Sequence, residues 1–66
     1  MKICVNGEKE SIPLVASVAD LLATRGNDEN RVVVERNGDI VPRGNFAATS
    51  LQEGDTLEIV HFVGGG

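Results

Sequence analysis

Residues 17–26 read Ser17-Val18-Ala19-Asp20-Leu21-Leu22-Ala23-Thr24-Arg25-Gly26, and this stretch decides the class of fold. Ser17 offers a hydroxyl to cap a first helical turn. Asp20, three residues on, is a shorter version of the Glu or Gln of a capping box. Val18, Leu21 and Leu22, with the aliphatic stem of Arg25, recur at helical spacing and make one apolar stripe. Gly26 suits the left-handed conformation that ends many helices. A helix of two to three turns does not persist alone in water, so the stripe must pack on a partner element. On both sides of the stretch the apolar period falls to two, which makes that partner a sheet.

Towards the N-terminus, Met1, Ile3 and Val5 alternate with Lys2 and Cys4, and Asn6-Gly7 supplies a strong hairpin turn. Ile12 and Leu14 resume the alternation and predict a second short strand. Pro13 between them lacks an N–H, so that strand belongs at an edge. Towards the C-terminus, the polar run 27–30 leads into Val32-Val33-Val34, and Asn37-Gly38 turns the chain back through Ile40-Val41 until Pro42 stops it. Residues 43–50 read as an irregular connection with at most one helical turn, pinned by Phe46. After the Gly54-Asp55 turn, Leu57, Ile59 and His61 alternate with Glu58, Val60 and Phe62, and three glycines follow Val63.

The element order is therefore β-β-α-β-β-β with a very short fourth strand. It defines an α+β fold, a mixed sheet crossed by one helix. Pairing the first and last strands in parallel at the centre would leave both hairpin partners at the edges. The organisation expected is a domain over residues 1–63 followed by a flexible glycine tail, Gly64-Gly65-Gly66.

Sixty-six residues bound the chain to one modest core, with little room for a catalytic cleft and its supporting shell. A formal charge of -4 favours a basic protein partner and disfavours phosphate backbones and anionic membranes. With Phe46 and Phe62 as its two aromatics and no Arg/Lys stripe, the sequence offers no nucleic-acid platform. Its one cysteine, Cys4, makes no internal disulfide, and no apolar run reaches signal-peptide or membrane-spanning length. A cytoplasmic location is the expectation.

Several motifs now stand in order: Val5-Asn6-Gly7, Ser17-Val18-Ala19-Asp20-Leu21-Leu22, Val34-Glu35-Arg36-Asn37-Gly38, Ile40-Val41-Pro42-Arg43, Leu51-Gln52-Glu53-Gly54-Asp55 and Phe62-Val63-Gly64-Gly65-Gly66. Together they resemble the bacterial sulfur-carrier family of thiamine biosynthesis, the ThiS family, within the ubiquitin-like β-grasp superfamily. The resemblance spans essentially the whole chain. It implies a protein cosubstrate rather than an enzyme. A ThiF-like adenylating enzyme would use ATP and magnesium to activate the Gly66 carboxylate, and a persulfide donor system would convert it to a thiocarboxylate. Thiazole synthase would then receive the sulfur. The carrier itself would bind no cofactor and no metal. The small subunit of molybdopterin synthase is similar in fold and chemistry, and a non-covalent β-grasp binding module is the alternative of a different class.

The residue chemistry suits a delivered terminus. Glycine lacks a Cβ, so a run of three can thread a narrow channel with no blocking side chain. Ordering each one costs about 1–2 kcal/mol of backbone entropy, which contacts elsewhere on the domain must offset. If Leu57 and Ile59 face the helix, Glu58, Val60 and Phe62 face the other way. Val60 and Phe62 are then the expected partner-binding pair, unless the 43–50 connection covers them. Cys4 lacks a neighbouring activator and reads as a small strand residue. His61 reads as a packed or edge residue, and Asp55 and Glu58 as turn and solvated-face residues. None enters a catalytic set.

Overall fold

The computed structural model describes residues 1–14 and 16–63. Five strands form one sheet: β1 (Lys2–Val5), β2 (Glu8–Ser11), β3 (Val32–Arg36), β4 (Asp39–Ile40) and β5 (Thr56–His61). Their spatial order is β2-β1-β5-β3-β4, with β1 and β5 parallel and the other pairs antiparallel. The first and last strands thus sit together at the centre, with the two hairpin partners outside them. The tail Gly64–Gly66, and with it the proposed domain boundary at residue 63, falls outside the described residues.

The helix α1 covers Val18–Thr24 and begins as its sequence dictates. Ser17 Oγ accepts from the Asp20 N–H at 3.1 Å, and Asp20 Oδ2 accepts from the Ser17 N–H at 2.9 Å. The capping box closes in both directions, and such a cap contributes about 1 kcal/mol. Val18, Leu21 and Leu22 are buried against Ile3 and Val5 of β1, Val32 and Val34 of β3, and Leu57 and Ile59 of β5. Gly26, at φ +73°, ends the helix in the left-handed region. Arg25 is the exposed C-cap, and its guanidinium pairs with Glu10 of β2.

The second strand lies earlier than the alternation of Ile12 and Leu14 predicts. Asn6 (φ 51°) and Gly7 (φ 83°) form a two-residue turn, so pairing resumes at once and Glu8 stands opposite Val5. The strand is Glu-Lys-Glu-Ser, wholly polar, as an edge strand can be. Pro13 and Leu14 lie beyond it, with Leu14 82% exposed. The run 27–30 also carries a feature its polarity hid: Asp28 accepts from the Asn30 N–H and caps a 3-10 turn at Glu29–Arg31. The 43–50 connection holds the expected single turn, at Arg43–Asn45, and Phe46 anchors it in the core.

Candidate functional site

Strand β5 leads towards the glycine run and is buried on one face only. Leu57 and Ile59 point into the core under α1, while Glu58 and Val60 are exposed. Val60 is 58% exposed and lies directly opposite Val33 of β3, also exposed, so the pair makes an apolar step on the sheet's open face. Phe62 is 37% exposed, and its backbone N–H donates to the Arg31 carbonyl at 3.1 Å. Glu35 and Glu58 stand opposite each other on the same face, placing two negative charges beside the apolar step. The 43–50 connection does not cover this surface. It is tied to the start of α1, where Val18 N–H donates to Thr49 and Ala19 N–H to Phe46.

The root of β5 is braced from both flanks by asparagines in left-handed turns. On one side, Asn6 Oδ1 accepts from the Ile59 N–H at 2.7 Å, and its Nδ2 donates to the Ile59 carbonyl at 3.2 Å. The β1 ladder thereby continues one step further through a side chain. On the other side, Asn37 (φ 52°) accepts from the Thr56 N–H through Oδ1 and donates to Asp55 through Nδ2.

Asp55 is no solvated turn residue: it is 5% exposed. Its Oδ2 accepts from Arg36 Nε at 2.8 Å and from the Gln52 N–H at 2.8 Å, and its Oδ1 accepts from Asn37. Burial alone would raise its pKa. The hydrogen bonds from Arg36, Gln52 and Asn37, with the Arg36 charge, outweigh burial and hold the carboxyl below its ordinary value. Sequence reasoning missed this network because Gly54-Asp55 reads as a turn. Pairing with Arg36, nineteen positions away, leaves no local signal.

The remaining candidates are placed as follows. Cys4 is half-buried within β1, opposite Lys9 of β2. His61 Nε2 lies 2.9 Å from Asn27 Nδ2, which draws its side chain to the helix side of the sheet. Among the described residues, no group of three or more His, Cys, Asp or Glu side chains is arranged to hold a metal, and no helix is long and apolar enough to cross a membrane. A groove of about 230 Å³ between β2 and α1, lined in part by Ile12, Pro13 and Leu21, is smaller than an ordinary ligand pocket. It lies on the helix side, away from Val60 and Phe62.

The sheet order, the single crossing helix and the central last strand define the class: a ubiquitin-like β-grasp domain. The model of the ThiS family matches residues 2–66, and the chain belongs to that family. It is 42% identical over 50 residues to the sulfur carrier protein ThiS of Bacillus subtilis, covering 76% of each chain. It is also similar to the crystal structure of the thiamine biosynthesis protein ThiS from Geobacter metallireducens, with 35% identity, a TM-score of 0.83 and full coverage of both chains. A thiazole synthase of Paramagnetospirillum magneticum is 44% identical over all 66 residues. The chain spans about a fifth of the length of the thiazole synthases it matches.

Proposed function

We propose that the chain is the sulfur carrier for thiamine thiazole synthesis, with Gly66 as the atom-bearing end. The observation that supports this most is the path of β5. It lies at the centre of the sheet and leads past the exposed Val60 and Phe62, and three glycines follow Val63 in the sequence. A rigid root and a side-chain-free end are what delivery into another protein's active site requires. Membership of the ThiS family supplies the chemistry.

In this reading the Gly66 carboxylate attacks the α-phosphorus of ATP on a ThiF-like adenylating enzyme, releasing pyrophosphate and forming an acyl-adenylate. Magnesium and the phosphate-binding groups belong to that enzyme, and the carrier binds neither. AMP replaces oxide as the leaving group, which removes the obstacle a bare carboxylate presents. The outer sulfur of a cysteine persulfide then attacks the acyl carbon and expels AMP. A thiol reduces the resulting S–S bond and frees the thiocarboxylate. Thiazole synthase receives that sulfur. The chain acts throughout as a protein cosubstrate.

Val60 and Phe62 are the proposed docking pair, with Val33 completing the patch. Glu35 and Glu58 beside it favour a partner surface that carries arginine or lysine. Deleting Gly65 and Gly66 tests the reading: the shortened chain should melt as the parent does yet yield no thiocarboxylate with an active adenylating enzyme and persulfide donor. Sulfur transfer to the shortened chain would refute the assignment.

A further inference from the structure

Backbone groups of successive strand residues point to opposite neighbours. In β5 the Phe62 N–H bonds to Arg31 and the Thr56 carbonyl to Asn37, so even-numbered residues face β3. Odd-numbered residues face β1: Asp55 and Leu57 accept from the Cys4 and Asn6 N–H groups, and Ile59 is held by the Asn6 side chain. At Asn6-Gly7 the chain turns away into β2. The next odd residue, His61, therefore presents its N–H and carbonyl into a lane that β1 has vacated. Among the described residues nothing pairs with them there.

The side chain of His61 does not block this lane, because Asn27 holds it on the helix side. Val63, the following odd residue, is almost wholly exposed. The outer edge of β2 is less suited to strand addition. It is lined by Glu8, Lys9 and Glu10, with Arg25 lying against Glu10, and charges of this kind guard edges against pairing. The half-edge at His61 has no such guard and directly precedes the residues that must enter a partner.

We propose that an extended segment of thiazole synthase adds beside β5 as a short strand, pairing with the backbone of His61 in the lane left by β1. The occupant follows from two facts. Alternating free N–H and carbonyl groups on a sheet edge are matched by another extended backbone. In addition, relatives named thiazole synthase carry a segment matching this whole chain within one polypeptide. The inference rests on the sulfur-carrier reading and adds how the terminus is aligned: pairing at His61 fixes the direction in which the glycines leave the sheet.

Amide hydrogen exchange of the isotope-labelled chain, free and with saturating thiazole synthase, tests this directly. In the free chain the Phe62 amide should be protected and the His61 amide should exchange freely. With the enzyme bound, His61 exchange should slow by about tenfold or more, the effect of closing one backbone hydrogen bond. A synthetic chain N-methylated at His61 should melt as the parent does and bind the enzyme about fivefold to tenfold more weakly. Unchanged His61 exchange in a demonstrated complex would overturn the proposal, as would protection by the adenylating enzyme alone. Thiocarboxylate formation at Gly66 is read separately, so loss of this inference and loss of the carrier assignment remain distinguishable.

Discussion

The two ends of β5 are held in different ways. From Asp55 to Ile59 the strand is gripped from both flanks, by β1 and Asn6 on one side and by β3, Asn37 and Arg36 on the other. From Val60 to Val63, among the described residues, its backbone pairs with the β3 side alone, and Val60, Phe62 and Val63 show apolar side chains to solvent. The difference separates two tasks within eight residues. The root fixes the register, because a slip of one position would exchange the buried Leu57 and Ile59 for Glu58 and Val60. In the proposed reading the outer end offers a partner its apolar surface and the backbone lane that is unpaired among the described residues.

The largest loss is expected at Asp55. Asp55→Ala removes the acceptor shared by Arg36, Asn37 and the Gln52 N–H, and should cost about 2–4 kcal/mol in urea unfolding. The same carboxylate makes stability depend on acid. Its folded pKa lies below the ordinary 3.8, so its contribution is complete above about pH 5 and is lost as the pH falls through the ordinary and then the lowered value. Asp55→Asn should flatten that acid limb of the stability profile.

Asn6→Gly loosens the β1 flank alone. Glycine accepts the φ of 51° but makes neither bond to Ile59, and about 1–2 kcal/mol should be lost. Faster exchange of the Ile59 amide is the local readout, and the acid limb set by Asp55 should persist. At the outer end the balance reverses. Phe62→Ala should cost about 1 kcal/mol and leave the chain folded, because Phe62 is only 37% exposed, while calorimetric titration should show affinity for the adenylating enzyme or thiazole synthase falling about tenfold. Unchanged binding would remove Phe62 from the docking pair.

How much of this was legible in the sequence depended on whether the signal was local. The Ser17–Asp20 box, both Asn-Gly turns and the alternation through Leu57 and Ile59 are each complete within a few residues, and each appears in the structure as read. The exposure of Val60 and Phe62 followed from period two once the core face was fixed. Strand β2 lies earlier than the apolar alternation implies because an edge strand buries little and Glu-Lys-Glu-Ser carries no apolar period. Turn geometry held the missing information, since a two-residue turn makes pairing resume at Glu8. The burial of Asp55 and the clamp of Asn6 on Ile59 involve residues far apart in the chain, and only the assembled sheet shows them.

The proposed function places the carried sulfur on Gly66. The most direct measurement is mass spectrometry of the intact chain, followed by fragmentation, after incubation with ATP, magnesium, the adenylating enzyme, a persulfide donor and a thiol. The account predicts a mass gain equal to exchanging one oxygen for sulfur, mapped to Gly66, and no product when a residue is appended after Gly66 and left untrimmed. An unmodified terminus with a demonstrably active cognate enzyme, or sulfur mapped to Cys4, would contradict it.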